Sequence, residues 1–326
     1  MKSVTSFVGS LPPHPNLPQG GEGICQRAAP TQFLLNPNHV PLPPSGERAG
    51  VRGQRSQQAS DSTGALGRPG RFALLALALA SALLTARATD FADRVVSYEP
   101  GAGTSPRFQN PAAALGAPSQ INPFGEATDP FNPPYGTNQI VSVGTGGFLV
   151  LQFHTPILNH PNNLHGYDFI LFGNCGFIIT NEFDPATFDW IGTPATDGSL
   201  FGANDGETRV SASRDGIDFF TLQPTLAGVV DGPFPPDGAG DPHRPPLPGL
   251  LLSDFPGATL EDIRTLYNGS AGGTPYDIGW AVDSLGRSVF LPEINFIRID
   301  VLSGKSEIDA VASVSRVPRG GNATGR

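Results

Sequence analysis

Between Gly146 and Ile179 the chain alternates apolar and mixed positions in a way that predicts strands. Leu149, Leu151 and Phe153 alternate with Phe148, Val150 and Gln152, which predicts a strand over Phe148–Phe153 with one fully apolar face. A second strand is predicted over Tyr167–Phe172, joined to the first by a loop rich in Pro, Asn and His, and the folded domain should be organised around this pair. Further strands are expected at Arg94–Tyr98 and Phe177–Thr180. Glu207–Ser213 and Ile217–Leu222 flank Arg214-Asp215-Gly216, a hairpin by alternation and by its Asp-Gly turn. In Ile294–Leu302, Asn295, Ile297, Ile299 and Val301 share the face expected to enter the core, with Ile294, Phe296, Arg298 and Asp300 opposite.

One helix is predicted. Thr259 is its N-cap, Asp262 sits at N3, Leu260, Ile263, Leu266 and Tyr267 form its apolar side, and Gly269 stops it. The rest is long loop. Pro111–Pro118 can make one helical turn, and Asn181–Asn204 is irregular. Gln223–Leu250 reads as a solvated excursion carrying Asp231, Asp237 and Asp241. About seven to nine short strands without long helices between them point to an all-β antiparallel sandwich or barrel and away from a parallel α/β sheet.

Composition restricts how much of the chain folds. There are 41 glycines and 34 prolines in 326 residues, close to the roughly 25–30% at which unpatterned Gly and Pro signal low complexity. Residues 1–88 carry eight basic and three acidic side chains, whereas the remainder carries twelve and twenty-six. An acidic body excludes nucleic acid as the expected partner. Residues 1–65, with LPPHPNLPQGGEG and PLPPSGERAGVRG, resemble translated intergenic repeats and are expected to be a disordered leader or sequence ahead of the true start.

Residues 66–88 read as a signal peptide. Arg68 and Arg71 precede the apolar run Phe72–Leu84, and Ala86-Arg87-Ala88 is an A-x-A cleavage site. The run is shorter than the ~20 residues a membrane span needs. The expectation is export to the periplasm or medium after cleavage near Ala88, with no stable membrane span. A folded domain would then cover 89–315 and a flexible tail 316–326. Cys25 and Cys175 are the only cysteines, so the mature chain would hold one thiol, read as a small buried hydrophobe.

Candidate chemistry is sparse. Phe124, Phe131, Tyr135 and Trp190 lie in loops, where aromatics either pin the loop to the sheet or line a ligand groove; Phe131, Tyr135 and Trp190 are the candidate ligand contacts. His154, His160 and His165 match no zinc spacing. Asp168, Asp205, Glu207, Asp277 and Asp300 lie in or beside predicted strands. Together with amide oxygens such as Asn174 they suggest a structural Ca²⁺, for which Asp168, Asn174, Glu207 and Asp277 are the candidate ligands. A glycosidase needs two facing carboxylates, and nothing in the sequence selects a pair. No nucleophile elbow, zinc helix or phosphate loop occurs, so no catalytic residue is assigned.

The ordered blocks GTGGFLVLQFHTPILNHPNNLHGYDFILFGNCGF, ETRVSASRDGIDFFTL, LYNGSAGGTPYDIGWAVD and LPEINFIRIDVLSGKSEIDAVA resemble a family of secreted bacterial cell-surface proteins of unknown function. Some members of that family carry a PEP-CTERM-type sorting tail. The resemblance covers Phe91–Val314 and implies an antiparallel jelly-roll-like β-sandwich with one short helix and long Gly/Pro-rich loops. RVPRGGNATGR, the end of this chain, departs from that sorting tail. The expected role is a secreted binding or structural module, carbohydrate-binding with structural calcium, its partner an extracellular glycan. The alternative is an extracellular polysaccharide hydrolase using a carboxylate pair.

Overall fold

A computed structural model describes residues 90–187 and 189–315. The leader, signal and tail expectations, 1–88 and 316–326, lie outside the described residues. In chain order the strands are β1 (Arg94–Glu99), β2 (Val141–Gly144), β3 (Phe148–Leu158), β4 (Phe169–Phe172), β5 (Gly176–Ile179), β6 (Phe183–Asp184), β7 (Asp189–Trp190) and β8 (Ala195–Phe201). They continue with β9 (Thr208–Ser213), β10 (Phe220–Leu222) and β11 (Ala258–Thr259), which leads into helix α1 (Leu260–Tyr267). After the helix come β12 (Thr274–Tyr276), β13 (Ala281–Val282), β14 (Glu293–Val301), β15 (Lys305–Ile308) and β16 (Ala310–Ser313). The described fold is all-β, with antiparallel pairing between its strands and one α-helix.

The largest sheet has the order β1-β3-β14-β9-β10-β13. Its register carries an apolar row across three strands: Leu149 of β3 faces Ile299 of β14, which faces Val210 of β9, and Leu151, Ile297 and Ala212 form the next row. These side chains meet Val141 and Val143 of β2, Phe169 and Leu171 of β4, and Ile308 and Val311 in one core. Burial of each such side chain contributes about 1.5–3 kcal/mol.

The two strands that looked like a pair are therefore not neighbours in a sheet. β3 pairs with β1 and β14, whereas β4 pairs with β12 and β16 and meets β3 only through the core. β4 is buried on both faces, because Ile170 and Phe172 enter another cluster with Ala271, Ala310, Ala312 and Val314. That is why its four residues, FILF, show no alternation.

β14 holds a second departure from simple alternation. Its register against β3 shifts between Ile294 and Phe296, and this bulge places Ile294, like Ile297 and Ile299, in the main core. Asn295, expected to point inward with them, instead donates from Nδ2 to the carbonyl of Phe153 at 2.9 Å. Between the flanking pairs, residues 153–156 of β3 oppose the single Asn295, and this irregularity inverts the phase of β14 on one side of it.

A separate core forms where β5, β8 and β11 make a three-stranded sheet against α1, from Phe131, Phe177, Phe255, Ala258, Ile263 and Tyr267. The helix begins and ends as its sequence dictates. Thr259 and Asp262 close a reciprocal capping box, and Asn268 takes the left-handed conformation just before Gly269.

The segment 223–250 corrects its sequence reading. Val230, Asp231 and Asp237 are buried, and each aspartate has found partners that make burial tolerable.

Candidate binding groove

The β9–β10 turn and the segment entering β14 form the walls of a groove of about 510 Å³ lined by Arg214, Asp215, Asp218, Phe220, Val289, Phe290, Leu291, Glu293 and Asn295. The turn is locally determined. Asp215 accepts from the backbone N–H groups of Ile217 at 2.8 Å and Asp218 at 3.0 Å, and Gly216 supplies the φ of +76° between them. The N–H of Ile217, with that of Asp218, holds the Asp215 carboxyl below the usual carboxylate range, so it is ionised.

Phe220 and Val289 pack on the main core and Leu291 is part of it, which gives the groove a rigid apolar base. Above that base the chemistry is polar. Arg214 Nη2 lies 3.4 Å from Glu293 Oε1, both partly exposed, and Asp218 is exposed. Phe290 is 81% exposed although its neighbour Leu291 is buried. Such a site offers an aromatic face together with guanidinium donors, carboxylate acceptors and a carboxamide.

A smaller cleft of about 320 Å³ is lined by Asp90, Thr155–Leu158, Asn163, Asp168, His243 and Ser313–Ser315. His243 Nδ1 lies 2.8 Å from the Ser313 carbonyl. Since a carbonyl only accepts, Nδ1 carries the proton. Asp168 is buried and saturated with donors: Asn163 Nδ2 at 2.6 Å, the His160 N–H at 3.4 Å and the Ile278 N–H at 2.8 Å. Burial raises its pKa to about 6. Its visible role is to tie the β3–β4 loop to the turn after β12.

The remaining sequence-derived candidates are dispersed. Asn174 contacts Asp231 and Glu307, Glu207 is exposed, and Asp277 accepts from the Gly279 N–H. The four residues of β4 hold Asp168 and Asn174 about 13 Å or more apart, so no single ion touches all four candidate ligands. Among the described residues no group of three or more His, Cys, Asp or Glu is placed to hold a metal.

Of the three candidate ligand aromatics, Phe131 is only 8% exposed and belongs to the core under α1. Tyr135 packs on Phe124, ring centroids 5.9 Å apart, and Trp190 stands edge-on to Phe183 at 5.3 Å across the β6–β7 hairpin. None lines either cavity.

Sequence reasoning missed the buried carboxylates Asp231 and Asp309. Asp231 accepts three backbone N–H groups, from Asn174 and Cys175 at 2.8 Å and Glu307 at 3.0 Å. Asp309 accepts from Ser119 N and Oγ. Burial raises both pKa values to about 7. The glycine that follows FILF was the available signal for Asp231, since a Cβ at Gly173 would collide with Asp231 Oδ1. Cys175 is buried, its Sγ donates to the Gly232 carbonyl, and burial raises its pKa well above the ordinary value, which makes it an inert packing thiol.

No protein-family model matches this chain, and no curated protein matches it.

Proposed function

We propose that this chain is an exported, carbohydrate-binding module of the cell exterior, a jelly-roll-like sandwich of the secreted surface type its sequence resembles. The observation that carries the reading is Phe290, 81% exposed beside the polar walls of the 510 Å³ groove. A pyranose ring has an apolar C–H face and a hydroxyl edge. Phe290 is suited to the first, and Arg214, Asp218, Glu293 and Asn295 to the second. The apolar run and A-x-A site before Thr89 support export, and the acidic body favours an uncharged saccharide over a polyanion.

This reading moves the ligand-contacting aromatic from Phe131, Tyr135 and Trp190 to Phe290. It requires no Ca²⁺ in the groove, because Arg214 partners Glu293 and the turn N–H groups partner Asp215. The hydrolase alternative retains one support, that Asp218 and Glu293 line the same groove. A glycan array, run with calcium and with chelator, tests the proposal: saccharide binding in both conditions is expected, and no binding in either defeats it. Release of reducing ends from a polysaccharide panel, lost in Glu293→Gln, would replace the binding module with the hydrolase.

A further inference from the structure

Away from the groove, one carboxyl group bridges an amine and a carboxamide. Glu307 Oε1 lies 2.8 Å from Lys305 Nζ, and Glu307 Oε2 lies 2.6 Å from Asn174 Nδ2. Lys305 and Glu307 are two residues apart on β15, so their side chains share a face. Asn174 follows β4 and is brought to that face by Asp231, whose Oδ1 accepts from the Asn174 and Cys175 N–H groups while its Oδ2 accepts from the Glu307 N–H. One buried aspartate thus fixes the backbone on both sides of the carboxamide–carboxylate contact.

Two independent observations single this cluster out. Asn174 Oδ1 is shut from solvent without a hydrogen-bond partner among the described residues, so the carbonyl is desolvated. Lys305 and Lys2 are the only lysines of the chain, against eighteen arginines. Lysine can lose its proton and act as a nucleophile, whereas arginine stays charged.

We propose that Lys305 and Asn174 join in an intramolecular isopeptide bond, with Glu307 as the proton carrier. Glu307 accepts a proton from the Lys305 ammonium, and the freed Nζ lone pair attacks Asn174 Cγ. Glu307 then protonates Nδ2, the Cγ–Nδ2 bond breaks and ammonia leaves. The second proton lost from Nζ passes through Glu307 to the departing ammonia. An ammonium and a primary carboxamide become a secondary amide and an ammonium ion, with no oxidant or cofactor. Lys305 is 44% exposed, so the cluster opens to solvent on the Lys305 side. Holding both reactants on one carboxyl group supplies the proximity the step needs. The product ties β15 covalently to the turn after β4.

Intact-mass spectrometry of the purified chain, followed by tryptic mapping, tests this. The expected result is a mass lower by one ammonia, no cleavage after Lys305, and a single branched peptide containing Lys305 and Asn174. Lys305→Arg and Glu307→Gln should each restore the full mass. Full mass with cleavage after Lys305 in the folded wild-type chain overturns the proposal, as does loss of ammonia mapped elsewhere. The wild-type map decides the matter even if a variant fails to fold.

Discussion

Arg214 and Glu293 meet in the groove with Nη2 3.4 Å from Oε1, one side chain from the β9–β10 turn and the other from the start of β14. A half-exposed pair of this kind contributes about 1 kcal/mol or less to stability. Both groups are consequently free to exchange each other for a ligand. The groove is built on core residues and carries its polar groups above them, so changes to those groups should separate binding from folding.

Stability should fall as pH rises from about 4 to about 7. Burial raises Asp168 to about 6 and Asp231 and Asp309 to about 7. Below the unfolded carboxylate pKa of about 3.9 both states are protonated and folding carries no ionisation penalty. Between that value and the folded pKa the unfolded chain is ionised while the folded one is not, so the penalty grows; above about 7 it is constant, on the order of a few kcal/mol. Melting should be higher at pH 5 than at pH 8. Asp309→Asn, whose carboxamide can still accept from the Ser119 N–H, should flatten the dependence. A melting midpoint that rises through this window contradicts the assignment.

Phe131 and Trp190 should behave oppositely on truncation. Phe131 fills the core under α1, so Phe131→Ala should cost about 3–5 kcal/mol in chemical denaturation. Trp190, on a two-residue strand and packed mainly on Phe183, should cost about 1 kcal/mol when changed to Ala. Equal losses would mean that the β6–β7 hairpin is more integral than its contacts indicate.

Helix α1 depends on its ends. Thr259→Ala removes the Oγ1 that accepts from the Asp262 N–H and should destabilise by about 0.5–2 kcal/mol. Asn268→Val, at a φ of +50°, should also destabilise, by about 1–2 kcal/mol. Urea midpoints check both, and unchanged values would mean that packing of Ile263 and Tyr267 alone holds the helix.

Chelation should leave the fold untouched. Asp168 accepts from Asn163, His160 and Ile278, and β4 holds it too far from Asn174 for the two to share an ion. EDTA should not move the melting midpoint. A fall of several degrees would mean that a metal binds elsewhere and restore the calcium expectation.

The parts of this fold legible in the sequence are those set by local rules. The capping box of Thr259 and Asp262, the Asp215-Gly216 turn and the inward face of Ile297, Ile299 and Val301 follow from residue type and period. Partnership between sheets was not legible. The run FILF is compatible with any doubly buried strand, so nothing in it said that β4 would face β3 across a core rather than pair with it. The bulge at Asn295 was hidden because it lies in the pairing with β3, where Asn295 donates to Phe153, 142 residues away in the chain. The groove escaped for a related reason. Phe290 looks like an ordinary loop residue until the β9–β10 turn is folded against it, whereas Phe131 looked available until α1 covered it.

The most direct test of the proposed function is the affinity of wild-type and Phe290→Ala proteins for a panel of neutral oligosaccharides, measured by calorimetry together with the melting midpoint of each. Phe290 is exposed, so its truncation should leave melting within a degree or two while weakening saccharide binding tenfold or more, about 1.4 kcal/mol. Undiminished binding by Phe290→Ala, or no binding of any saccharide by the wild type, would contradict the assignment of this groove.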